Sequence, residues 1–150
     1  MRTVEQESRL AASADAVWAH VSTFEGVNYE LRPLMRMTAP AHIRGLEPSD
    51  VVLGERLFRS WVLLFGVLPI DYDDLTLVAI EPGRGFQERS RMMSMRVWEH
   101  DRSLEPDGTG CVVRDRLGFE PRVPGMGPLP ERVVRALFRH RHRRLRRRFG

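Results

Sequence analysis

Apolar and polar positions follow two different periods along this chain, and the switches between them divide it into four parts. Thr3 to Leu10 alternates from a β-branched start at Val4 and reads as a strand. Ser13 then offers an N-cap. The run "ADAVWAHVSTF" sets Val17, Val21 and Phe24 on one helical face, with Gly26 as its stop. "VNYELRPL" gives a second short helix or turn that ends near Pro33. The period then returns to two. "LMRMTAP", "GERLFRSWVLLF", "DYDDLTLVAI", "FQERSRMM", "RVWEHDRSL" and "CVVRDRLGFE" are strand-like runs, punctuated by "EPSD", "GVLP", "EPGRG" and "EPDGTG". After the loop "PRVPGMGPLP", Pro130 opens a helix that runs to about Arg148 and carries Val134, Leu137, Phe138, Leu145 and Phe149 at helical spacing. Hairpin-type connections predict an antiparallel sheet rather than βαβ units. The expected architecture is α+β. A seven-stranded antiparallel curved sheet wraps around a long C-terminal helix, with two short helices after the first strand.

Composition narrows the class. A length of 150 residues predicts one domain, 1–150, with a core that needs no staples. Cys111 is the one cysteine, so no internal disulfide forms, and a reducing cytoplasm is expected. "MRTVEQESRL" shows no signal-peptide pattern, and "WVLLFGVLPI" is roughly half the length of a membrane span. Every one of the 24 basic residues is arginine. The stretch Arg139–Arg148 holds seven of them, leaving 17 arginines against 20 acids in the rest of the chain. The net charge of +4 is therefore local to one helix, and the body of the protein is mildly acidic.

The order of elements resembles the helix-grip fold of the START-related (SRPBCC) superfamily, which includes lipid-transfer domains, pollen-allergen-like proteins and polyketide cyclases. The resemblance covers essentially the whole chain. It is carried by "SADAVWAHVST" after the first strand, "RMT" at the second, "VWEH" on the sixth, "RDRLGFEPR" on the seventh and "LFRHRHRRL" on the last helix. It is similar to a bacterial ligand-binding branch with a Trp-x-His, a strand Asp and a Phe-x-x-Arg-His-x-x-Leu helix. The resemblance implies an apolar cavity between helix and sheet that binds a small hydrophobic molecule.

Side-chain parity selects what faces such a cavity. Cys111, Val113, Asp115, Leu117 and Phe119 share one face of the last strand. Trp98 and His100 share one on the strand before. Phe86, Glu88, Ser90 and Met92 share another. On the helix, Val134, Leu137, Phe138, Arg141 and Leu145 form one stripe, so Arg141 is the arginine of the cluster that turns inward. A buried charge needs a partner, and Asp115 or Glu88 is expected to supply it. The ligand-binding residues expected are Trp61, Tyr72, Phe86, Glu88, Met92, Trp98, His100, Asp115, Leu117, Val134, Phe138 and Arg141. The bland account of the polar four is a satisfied network that fixes helix against sheet. The sharper one has them orient a ligand or move its protons.

Other features point away from chemistry. No nucleophile has a fixed partner, so no catalytic residue is assigned; His100, Asp115 and Arg141 are the candidates. His140 and His142 lie on opposite sides of a helix, Asp71 and Asp73 read as a solvated pair at a strand start, and no metal or other cofactor is expected. Cys111 reads as inert packing. The C-terminal arginines surround an apolar stripe, as a solvated face does, with no specific nucleic-acid signature. Arg139–Arg148 would still make weak, salt-sensitive anionic contacts. The leading expectation is binding or transport of a small hydrophobic or aromatic ligand. One alternative is an aromatase/cyclase-like enzyme using the same cavity. Another is a module that binds nucleic acid or an acidic membrane through the C-terminal helix.

Overall fold

A computed structural model describes residues 1–150. Strand β1 (Arg2–Leu10) is followed by helices α1 (Ala14–Val21) and α2 (Phe24–Leu31). Six strands come next: β2 (Met35–Met37), β3 (Arg56–Leu64), β4 (Leu68–Glu81), β5 (Gly85–Met92), β6 (Met95–Asp107) and β7 (Gly110–Pro121). Helix α3 (Leu129–Phe149) closes the order. The seven strands form one antiparallel sheet in the order β1-β7-β6-β5-β4-β3-β2. β2 to β7 are thus a meander, and β1 joins its far edge. This is the helix-grip architecture expected from the element order.

The helical segment after β1 departs from expectation. Gly26 does not end a first helix; it lies inside α2. Thr23 breaks the run instead. Its hydroxyl accepts from Gly26 N at 3.0 Å, which caps α2, and donates to His20 O at 2.7 Å. The chain folds back so tightly here that a Cβ on residue 26 would sit 1.9 Å from the His20 carbonyl oxygen. The glycine is required by close approach and not by a helix stop. The loop after β2 is pinned to the same junction, with Phe24 N donating to Arg44 O and Leu46 N to Ser22 O.

Apolar burial is divided. One cluster joins α1 to β6, β7 and Leu145 of α3, with Val17, Val113 and Leu145 fully enclosed. A second joins Val4, Leu117 and Phe119 to Val134 and Phe138 of α3. A third, around Leu75 and Leu77, sits on β4 under Phe24, Leu46 and Phe58. The first two clamp the helix to one half of the sheet. The other half curls away from it, and a space opens between them. No helix is long and apolar enough to cross a membrane.

Candidate functional site

The polar floor of that space is built by β6 and β7. Steps of two from Trp98 along β6 bring His100, Arg102 and Leu104 to the concave face, and Arg102 stands directly opposite Asp115 on β7. Arg102 donates from Nε and Nη2 to the two oxygens of Asp115, both at 2.8 Å. Its other edge grips Glu30 of α2, with Nη1 at 2.8 Å and Nη2 at 2.7 Å. Arg141 of α3 donates from Nε to the same Glu30 at 3.1 Å. Two buried arginines therefore face two buried carboxylates in balance, Arg102 bidentately to each acid and Arg141 through one bond. Burial alone would raise both acids. Arg102 and Arg141 overcome it at Glu30, and Arg102 and His100 overcome it at Asp115, which is held well below the usual carboxylate range.

Two histidines complete the network. Asp115 takes His100 Nε2 at Oδ1 and His142 Nε2 at Oδ2, each at 2.6 Å. An anionic carboxylate only accepts, so both Nε2 atoms carry a proton. His142 Nδ1 lies 2.8 Å from Ser8 Oγ, and that oxygen accepts from Arg146 Nη1 at 2.7 Å. A chain of hydrogen bonds thus runs from His100, at the space between helix and sheet, to the edge of β1.

The space itself is a cavity of about 390 Å³, lined mainly by apolar side chains from α2, β4, β5, β6 and α3. Phe86, Trp98 and Phe138 gather around His100, with the Phe86 and Phe138 rings edge-on to it at 5.2 and 5.1 Å. Exposed apolar residues Ile70, Met126, Leu129 and Val133 also border the cavity. Across from the arginines the wall turns acidic. Asp71 is fully partnered, by the Tyr72 and Ser94 amides and the Ser94 hydroxyl. Glu88 accepts from Ser90 Oγ at 2.6 Å, and its Oε1 is 3.9 Å from His100 Nδ1. Asp73 is 3% exposed, and its Oδ1 has no hydrogen-bond partner. Burial, reinforced by Glu88 and Asp71, pushes its carboxyl well above the ordinary range.

Of the residues expected at the site, the cavity wall brings together Phe86, Glu88, Met92, Trp98, His100, Val134, Phe138 and Arg141. Trp61 and Tyr72 are not there. On β3 and β4 the inward parity belongs to Ser60, Val62, Asp71 and Asp73, so Trp61 is 42% exposed and stacks edge-on against Tyr72 on the outer face. Leu117 and Asp115 are buried beneath the floor and do not line the cavity. Arg141 does turn inward, but its partner is Glu30 and not Asp115 or Glu88. Asp71 and Asp73 are buried in the wall rather than solvated. The network also holds Glu30, Arg102 and His142, which lie outside the expected set. Extending the Trp98–His100 parity by one step finds Arg102. Extending the Phe138–Leu145 stripe finds His142, whose side chain is fully buried. Nothing local marks Glu30, since its partners lie 72 and 111 residues away. Cys111 is buried as expected, and burial raises its thiol.

Residues 8–149 match a family described as a domain of unknown function, DUF8410. No curated protein matches the chain in sequence. Solved structures match its fold. A START superfamily protein from Mycobacterium smegmatis superposes with a TM-score of 0.69 at 15% identity, over 98% of this chain and 96% of that one. Protein CV1439 from Chromobacterium violaceum gives 0.73 at 13% identity, over 98% and 96%. DynU16, from the dynemicin biosynthetic locus, gives 0.64 at 15% identity over 97% of this chain, which spans 46% of that protein.

Proposed function

The chain belongs to the DUF8410 family, and we propose that it binds or transports a small hydrophobic or aromatic molecule in the cavity between sheet and α3, as a single domain in the cytoplasm. One observation carries this reading. The cavity of about 390 Å³ is lined mainly by apolar side chains and has a few converging polar groups, the make-up of a small-molecule site. A well-packed interior leaves few voids larger than a water molecule, so a space of this size is a built feature. The ligand-contacting residues proposed are Phe86, Met92, Trp98, Val134 and Phe138 for apolar contact, with His100 and Glu88 for orientation. Native mass spectrometry of the purified protein tests it. The expected result is a mass increment that disappears on denaturation. A bare mass, with no uptake of any apolar probe, overturns it.

A cyclase-like activity in the same cavity is the second reading. It is favoured by the placement of His100, whose Nε2 is tied to Asp115 while its Nδ1 edge is turned toward Glu88 at 3.9 Å. A ring fixed at one nitrogen can exchange a proton at the other. Turnover of a polyketide-like chain that vanishes in His100→Ala would establish this reading. Equal turnover in that variant would dismiss it.

A further inference from the structure

We infer that the ligand carries a protonated amine, received by the carboxyl pair Asp73 and Glu88 on the β4–β5 wall of the cavity. This inference rests on the proposed cavity function and adds the chemical class of the occupant. It follows from which polar groups in the cavity are already satisfied.

The cations are already balanced. Arg102 spends both edges of its guanidinium on Asp115 and Glu30, and Arg141 is committed to Glu30 through Nε. A ligand carboxylate at Arg102 would have to break a buried pair, and one at Arg141 would add a third anion to two arginines already matched by two acids. Asp71 is also complete, with backbone and hydroxyl donors on both of its oxygens. The unpaired group is Asp73. It is 3% exposed, it lines the cavity, and its Oδ1 meets no donor. A buried acceptor without a partner is costly, and a donor brought by a ligand removes that cost.

The surroundings select the kind of donor. Asp73, Glu88 and Asp71 all line the cavity, and Glu88 and Asp71 lie close enough to Asp73 to push its carboxyl up. The wall has no arginine paired to it; the nearest basic atom to Glu88 is His100 Nδ1, at 3.9 Å. A cationic N–H donor suits this wall better than a hydroxyl, because it meets both the orphan oxygen and the acidic field. A bare metal ion does not suit it, since no three of these side chains converge on one point. The apolar remainder of the cavity takes the hydrocarbon part of the same molecule, against Phe86, Trp98 and Phe138.

The test uses three probes that share one apolar body: 4-phenylbutylamine, 4-phenylbutan-1-ol and 4-phenylbutanoate. Their affinities for the full chain are compared by calorimetry at neutral pH. The amine is expected to bind about tenfold more tightly than the alcohol, or better, the low end for one charge-assisted hydrogen bond. The carboxylate is expected to bind worst. Asp73→Asn and, separately, Glu88→Gln should collapse the amine-to-alcohol ratio toward one. If the alcohol binds as well as the amine, or the carboxylate binds best, the inference is overturned while the cavity function stands. If no probe binds and no occupant is found by mass spectrometry, both fall. Should either variant fail to fold, the wild-type ratio alone decides.

Discussion

Two acidic groups lie within the same fold, one closed and one open. On the β6–β7 floor, Glu30 and Asp115 are matched by Arg102 and Arg141, and Asp115 additionally binds two histidines. On the β4–β5 wall, Asp73 and Glu88 line the cavity with no arginine paired to either and one Asp73 oxygen left without a partner. Burial is nearly the same in both places, at 0% exposure for Glu30 and Asp115 and 3% and 5% for Asp73 and Glu88. The carboxyls of Glu30 and Asp115 are nevertheless driven down, and that of Asp73 up. Burial by itself does not distinguish structure from function. Completeness of partnering does. A closed network locks α2, α3 and the sheet together, while an incomplete one stores a need that a ligand can meet.

The largest effect should come from opening the closed group. Arg102→Met removes every arginine contact of Asp115 and the stronger of the two at Glu30. Breaking a buried pair from one side costs about 3–5 kcal/mol. Urea unfolding at neutral pH should show that loss. It should shrink below about pH 4, where the freed acids protonate. A loss under about 1 kcal/mol would mean that the network is ornamental to stability.

How far such a contrast can be read in a sequence depends on the separation of its parts. Alternation along β5, β6 and β7 is clean because one face of each strand is buried, so Glu88, His100 and Asp115 are legible as inward residues. In β3 and β4 the chain carries irregular register at Val62/Leu63 and is apolar on both faces near the hairpin, with Phe65, Val67 and Leu68 exposed. Parity there is ambiguous: the pattern points Trp61 and Tyr72 inward and leaves Asp71 and Asp73 in solvent, whereas the folded sheet buries the two acids and turns the two rings outward. The helix stripe reveals Arg141, but its partner Glu30 sits 111 residues earlier. Only the folded chain joins them.

pH gives the second way to sharpen the comparison, because the two groups respond with opposite sign. Glu30 and Asp115 have folded values below their unfolded ones. Their stabilisation is present above about pH 4 and is lost as pH falls through the lowered values. Asp73 is raised. Its protonated form is the stable one, so it imposes a growing cost as pH rises from about 4 through its raised value. Asp73→Asn should therefore stabilise the ligand-free protein at neutral pH by about 1–3 kcal/mol, the penalty of a poorly satisfied buried group. Near pH 3 the gain should vanish. An Asp73→Asn protein that is less stable at neutral pH would show that the open group is, after all, a structural one.

The smallest effect belongs to the outer face of α3, where Arg139, Arg143 and Arg147 are exposed and follow one another at steps of four. None of the three forms a salt bridge, whereas Arg144 packs over the Tyr29 ring at 4.2 Å and donates to its carbonyl, and Arg146 holds Ser8. Replacing the exposed three with Gln keeps good helix propensity. It relieves two like-charge contacts of about 0.2–0.5 kcal/mol each and forfeits a helix-dipole contribution of similar size at the last turn. The terms offset, so stability should change by less than about 0.5 kcal/mol, and any cavity occupant should remain in native mass spectra. What should change is retention on a polyanion such as heparin, and its salt slope, because fewer counterions are released. If instead the triple variant loses the occupant while its stability holds, the basic face takes part in loading the cavity, and the division between a working interior and a merely solvated exterior fails.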